Sequence, residues 1–179
     1  MSRLFLASLA ALAAALTCLA GPAAARQLAF TATLDGQHAP TDTGSDATGQ
    51  ARIVVDTDTR TVDLTLDVQG IAIDELWSRL AASPMGPIHL HRYGSHDRSE
   101  AASVALVLPV PMGPAYSPTP HGFHVAMQAY PYAAGAALLK SGVSFDDFLA
   151  SMQGGQVVLN IHTNAEHDGE ISGEVVPAG

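Results

Sequence analysis

Three histidines sit where strand geometry would bring their rings to one point. In Pro87-Ile88-His89-Leu90-His91-Arg92-Tyr93-Gly94, apolar residues alternate with histidine. A β-strand over this stretch turns Ile88 and Leu90 into a core and stands His89 and His91 side by side on the opposite face. Residues two apart on a strand are separated by about 6.6 Å, close enough for both rings to converge on one small ion. A distant segment, Val158-Leu159-Asn160-Ile161-His162-Thr163, has the same character. Leu159 and Ile161 face inward there, which leaves His162 beside Asn160 on the other side. If the two strands are neighbours, three imidazoles meet. Clustered imidazoles suit copper and zinc, and the Irving–Williams order favours Cu(II) over Zn(II) at an all-nitrogen site, with zinc as the runner-up. The expectation is one copper ion held by His89, His91 and His162, with an open or water-filled position. Because the ligands must be deprotonated, affinity should fall as pH drops through about 6–6.5. The competing expectation is that these rings only hydrogen-bond across a partly exposed sheet face.

The remaining candidate ligands are weaker by position. His121 and His124, in Thr119-Pro120-His121-Gly122-Phe123-His124, cannot both point one way on an ideal strand, so either would need a bend to serve as a further ligand. His38, His96 and His167 fall in polar loops. Pro-Met-Gly-Pro occurs twice, placing Met85 and Met112 in turns. Thioethers bind Cu(I), but proline and glycine account for those turns without a metal. There is no nucleophile elbow, phosphate-binding glycine loop or H-E-x-x-H helix.

These histidines must be read in a chain without its leader. Residues 1–25 carry Arg3, an apolar run from Leu4 to Leu19, and an A-x-A pattern ending at Ala25. Such a segment is a cleavable export signal, too short and too interrupted by Gly21-Pro22 for a membrane span. Export leaves residues 26–179 as a single domain in the periplasm or outside the cell. The one cysteine, Cys18, lies in the leader. Disulfides and thiolate metal sites are therefore excluded from the mature chain. The full chain has a formal net charge of −9, with no polybasic run. Such a surface repels nucleic acid and anionic lipid, so a nucleic-acid partner is excluded and no membrane contact is expected after cleavage.

The elements that carry the histidines are mostly strands. Gln27 to Leu34, Gly49 to Val55 and Thr61 to Val68 alternate with a period of two and read as a meander, with a loop over Asp35 to Asp46. Ile73, Leu76, Trp77 and Leu80 fall at helical spacing and suggest a short helical connection. The histidine strand Ile88 to Arg92 follows, then a polar loop over Gly94 to Ser99 and an apolar strand over Val104 to Val110. Pro111 to Gly122 reads as irregular. Phe123, Val125 and Met127 restore alternation with His124 on the other side. Ser144-Phe145-Asp146-Asp147 opens a helix whose apolar stripe is Phe145, Phe148, Leu149 and Met152, ended by Gly154-Gly155. Gln156 to Thr163 and Glu170 to Val176 then form a hairpin. One core should contain Phe30, Ile53, Leu64, Leu66, Leu90, Leu106, Leu159, Ile161 and Ile171. Short alternating strands with helices only in connections indicate an all-β antiparallel Greek-key sandwich.

The chain resembles the chordin-like (CHRD) domain family of secreted proteins. The resemblance is carried by Phe30-Thr31-Ala32-Thr33-Leu34, the Gly49 strand and its partner, His89-Leu90-His91, and Phe145 to Gly155. Its most specific part is Asn160-Ile161-His162-Thr163 with Gly169-Glu170-Ile171-Ser172-Gly173. This implies an immunoglobulin-like sandwich outside the cytoplasm, and the animal members suggest a metal-free protein-interaction module as the alternative function, its partner undefined. Over two strands the chain is also similar to copper/zinc superoxide dismutases, through His89-Leu90-His91-Arg92-Tyr93-Gly94 and Val157 to His162 with Asp168-Gly169. That likeness implies a dismutase-like sandwich and copper ligation. It does not extend to a bridging histidine, a zinc subloop, structural cysteines or a cationic guide for superoxide, and it leaves open whether the chain is an enzyme.

Overall fold

Alternation along the first strands works because one face meets a core and the other meets water. The computed structural model describes residues 26–40, 42–94 and 103–179. Residues 1–25, the stretch expected to be an export signal and the one with Cys18, and residues 95–102, with His96, lie outside the described residues. The meander is β1 (Gln27–Leu34), β2 (Thr48–Asp56) and β3 (Thr61–Gln69), antiparallel neighbours in continuous register. In β3, Val62, Leu64, Leu66 and Val68 are buried, while Thr65 and Asp67 are exposed. This is the pattern expected of a sheet with one solvated face.

After β3 the chain crosses to a second sheet through a 3-10 turn at Ile73–Glu75 and the short helix α1 (Ser78–Ala81), the helical connection expected from its spacing. There it forms β4 (Ile88–Tyr93) and β5 (Ser103–Val110), then returns to the first sheet as β6 (Tyr116–Thr119) and β7 (Gly122–Pro131). Two helices, α2 (Tyr132–Leu139) and α3 (Phe145–Gln153), lead back to β8 (Val157–Ile161) and β9 (Ile171–Glu174). The last strand, β10 (Val176–Pro177), leaves that sheet at buried Val175 and pairs with β1. The result is a sandwich of two antiparallel sheets, ordered β10-β1-β2-β3-β7-β6 and β5-β4-β8-β9. The all-β antiparallel sandwich expected from the sequence is thus the observed architecture. Crossing between sheets is what sets β4 beside β8.

The core lies between the sheets. Phe30, Ile53, Leu64, Leu66, Phe123 and Val125 come from one side, with Ile88, Leu90, Leu108, Leu159, Ile161 and Ile171 from the other. Helix α3 closes one edge as its sequence specifies. The Ser144 hydroxyl accepts from the Asp147 N–H at 3.1 Å, and the Phe148 ring stacks on Tyr132 with centroids 4.6 Å apart.

Two readings are corrected. Leu106 is only partly buried, and Val107 takes its place in the core. The register between β4 and β5 jumps from Leu90↔Leu108 to His91↔Leu106. This bulge inserts one residue and reverses the phase of inward positions along β5. In addition, part of the stretch read as irregular, Pro111 to Gly122, forms β6, paired with β7 through Tyr116↔Val125 to Thr119↔Gly122. Pro118 is tolerated because β6 is the edge strand of its sheet.

Candidate metal centre

Strand β4 has two strand neighbours, and its pairing with β8 places His89 opposite Asn160 and His91 opposite Val158. His162 follows immediately after β8, its N–H donating to the Pro87 carbonyl at 2.9 Å. All three rings therefore project from the face opposite the core. That face is covered rather than partly exposed: His89, His91 and His162 are 3%, 0% and 3% exposed. The centroids of His89 and His162 are 4.5 Å apart, those of His89 and His91 4.8 Å, and those of His91 and His162 5.9 Å. One nitrogen from each ring falls in a group spanning at most 4.8 Å, close enough that the three could hold a metal ion.

Hydrogen bonds fix how the rings are turned. His162 Nδ1 donates to the His167 carbonyl at 2.7 Å and His89 Nδ1 to the Gly86 carbonyl at 3.4 Å. A carbonyl has no proton to give, so both Nδ1 atoms carry hydrogen and both neutral rings present a bare Nε2 lone pair. Those two Nε2 atoms face each other at 3.0 Å. Bare nitrogens at that distance repel unless a cation lies between them. Metal–nitrogen bonds of about 2.0–2.1 Å hold ligand nitrogens about 3–3.5 Å apart, so the spacing fits a shared ion. His91 is turned by a hydrogen bond between its Nδ1 and the Ser103 hydroxyl at 3.2 Å.

Burial also selects the protonation state. Loss of hydration, reinforced by the neighbouring rings, pushes His89 well below its ordinary value of 6.5 and His91 down to about 3. Burial lowers His162 too, opposed by its bond to the His167 carbonyl and by Asp168. The rings are thus held neutral, the form that can bind metal. The metal-free protein carries the linkage. Its unfolded chain takes up protons below about pH 6.5 while the folded rings resist, so this stability is full above pH 6.5 and is lost as pH falls toward the His91 value of about 3. Denaturant melts of metal-free protein should show a midpoint falling steadily from pH 7 to pH 4.5, and His91→Leu should flatten that slope.

Several supports escape sequence reasoning. The first Pro-Met-Gly-Pro turn is one: Gly86 has φ of +77°, and a Cβ there would strike the Val110 backbone. Glycine at this point lets the turn approach β5 and aim its carbonyl at His89. The loop after His162 is another. Asn164 accepts from the Ser78 N–H at 3.0 Å and donates to the Leu76 and Glu75 carbonyls at 3.1 and 3.2 Å, pinning the loop to the β3–β4 connection. Trp77, on that connection, stacks on His167 at 4.4 Å and lies 6.3 Å from His162. Asn160 is no ligand. Its amide accepts from Ser172 at 2.7 Å and donates to the Asp168 carbonyl at 3.0 Å.

The other candidates lie elsewhere. His124 pairs with Asp67 at 2.7 Å on the outer face of the other sheet, and exposed His121 sits in the β6–β7 turn. Neither joins the cluster, because β6 and β7 belong to the opposite sheet. His38 is exposed and bound to Asp35 at 2.7 Å. His167 contributes its carbonyl and ring stacking rather than membership of the cluster. A family model for the CHRD domain matches residues 30–175, nearly all of the described chain. No curated protein and no solved structure matches.

Proposed function

The chain belongs to the CHRD domain family, and from that premise we propose that it is an exported metal-binding protein whose His89, His91 and His162 hold one copper ion. The observation that carries this reading is the 3.0 Å approach of two bare Nε2 atoms whose Nδ1 hydrogens are already committed to carbonyls. Burial disfavours a further proton on either ring, and a metal cation would satisfy both lone pairs. An all-nitrogen donor set favours copper over zinc in the Irving–Williams order, with zinc the competitor where copper is scarce. Oxygen-seeking calcium and magnesium are poorly served by it.

Trp77 is the single tryptophan of the chain and lies 6.3 Å from His162, so its fluorescence should report the ion. Titrating metal-free protein with copper, under oxidising and then reducing conditions, should change that signal with saturation at one equivalent. A flat signal in both conditions would leave the metal-free interaction module as the better reading.

Export is part of the same proposal. The A-x-A pattern ending at Ala25 places the mature start at Arg26. Intact mass of the protein recovered from outside the cytoplasm should correspond to residues 26–179, whereas residues 1–25 retained in the membrane fraction would refute it.

A further inference from the structure

We infer that the groove between the β3–β4 connection and the β6–β7 turn docks a lysine or arginine side chain from an extended basic segment of a partner protein. The inference stands apart from the metal centre and holds whether or not copper binds. The groove is open and has a volume of about 620 Å³, within the range of sites that hold ligands. One wall is the 3-10 turn with Ile73, Asp74 and Glu75, the other carries Pro118 and Pro120, and Gly70 also lines it.

Its shape is set before any partner arrives. The Gly70 N–H donates to the His121 carbonyl at 2.8 Å and ties one wall to the other. The Glu75 carboxylate accepts from the Ala72 N–H at 2.6 Å, and the Glu75 carbonyl accepts from the Asn164 N–H at 2.8 Å. The turn is thus fixed at both its side chain and its backbone. Walls already in place spare a partner the cost of ordering them.

The chemistry of the two walls together selects the occupant. Asp74 and Glu75 are exposed and negative, in a chain whose formal net charge is −9, so the groove attracts a cation. Exposed ion pairs contribute little by themselves. Ile73, Pro118 and Pro120 supply the apolar surface that the methylene stem of lysine or arginine covers while its charged head stays in water. A bare metal cation has no use for that surface. Strand β6 is the edge of its sheet, but Pro118 and Pro120 carry no N–H, so a partner cannot add a strand here through a regular backbone ladder. Recognition falls to side chains.

Calorimetric titration of the exported protein with a short peptide of alternating lysine and serine should give saturable binding, stronger than its glutamine counterpart and weakened by salt. Asp74→Asn and Glu75→Gln should each weaken that binding about fivefold. Thr119→Arg sets a cation on the opposite wall and should abolish it. Asp58→Asn removes the same charge from the turn at the other end of β3 and should change nothing. All four side chains are exposed, so these changes should leave the fold intact. Equal binding of the glutamine peptide, no binding of the lysine peptide, or equal losses from Asp58→Asn and Asp74→Asn would overturn the inference.

Discussion

His91→Ala, like His89→Ala and His162→Ala, is expected to cost far more copper affinity than the roughly 10–100-fold that losing an outer-shell partner costs. Each change removes one of the three converging nitrogens, and among the described residues no further histidine joins them. His167, five residues after His162, has its ring stacked on Trp77. His38→Ala and His124→Ala should leave copper binding unchanged, because their rings are engaged by Asp35 and Asp67 away from the cluster. Asn164→Ala should fall between these limits. It frees the loop whose carbonyl orients His162 but removes no ligand. Competition titrations read all six variants on one scale, with thermal melts confirming that each remains folded.

Leu64→Ala and Ile161→Ala should each destabilise the protein by about 2–5 kcal/mol. Both side chains are fully buried, one from each sheet, so truncation leaves a cavity that packed strands on either side cannot close. Leu106→Ala should cost clearly less, since the bulge between β4 and β5 leaves that side chain only partly buried. Urea unfolding midpoints with unchanged slopes would report these differences. Equal costs at Leu106 and Leu64 would mean that the register across the bulge is wrong. Ile161→Ala carries a second expectation. It immediately precedes His162, so copper affinity should drop along with stability.

How legible the protein is from its sequence depends on what each face of a strand meets. Strands β1, β2 and β3 can be read directly because a solvated outer face enforces polar residues between the core ones. Alternation also finds the three clustered histidines, since the i, i+2 spacing of His89 and His91 places both on one face and the Asn160-Ile161-His162 pattern gives the third. Strand β5 is harder. It is apolar nearly throughout, so nothing in its composition marks the bulge that exchanges Val107 for Leu106. Helix α2 is invisible to periodicity because its buried positions are Tyr132 and Gly135, while its alanines and leucines are exposed or only partly buried. The departure of β10 to the other sheet depends on packing at Val175, not on any turn signal. Within the site, ring orientation escapes sequence because it is set by backbone carbonyls of Gly86 and His167, which leave no side-chain signature. Trp77 and Asn164 were visible only as parts of a helical connection and a loop.

The most direct test is the metal content of exported protein purified without an affinity tag or added metal, alongside the variant in which His89, His91 and His162 are all replaced by alanine. About one copper per chain in the wild type and none in the triple variant is the expected result. Wild-type protein that exchanges no metal for copper even when copper is supplied, or a triple variant that retains the same copper, would contradict a copper centre at these three histidines.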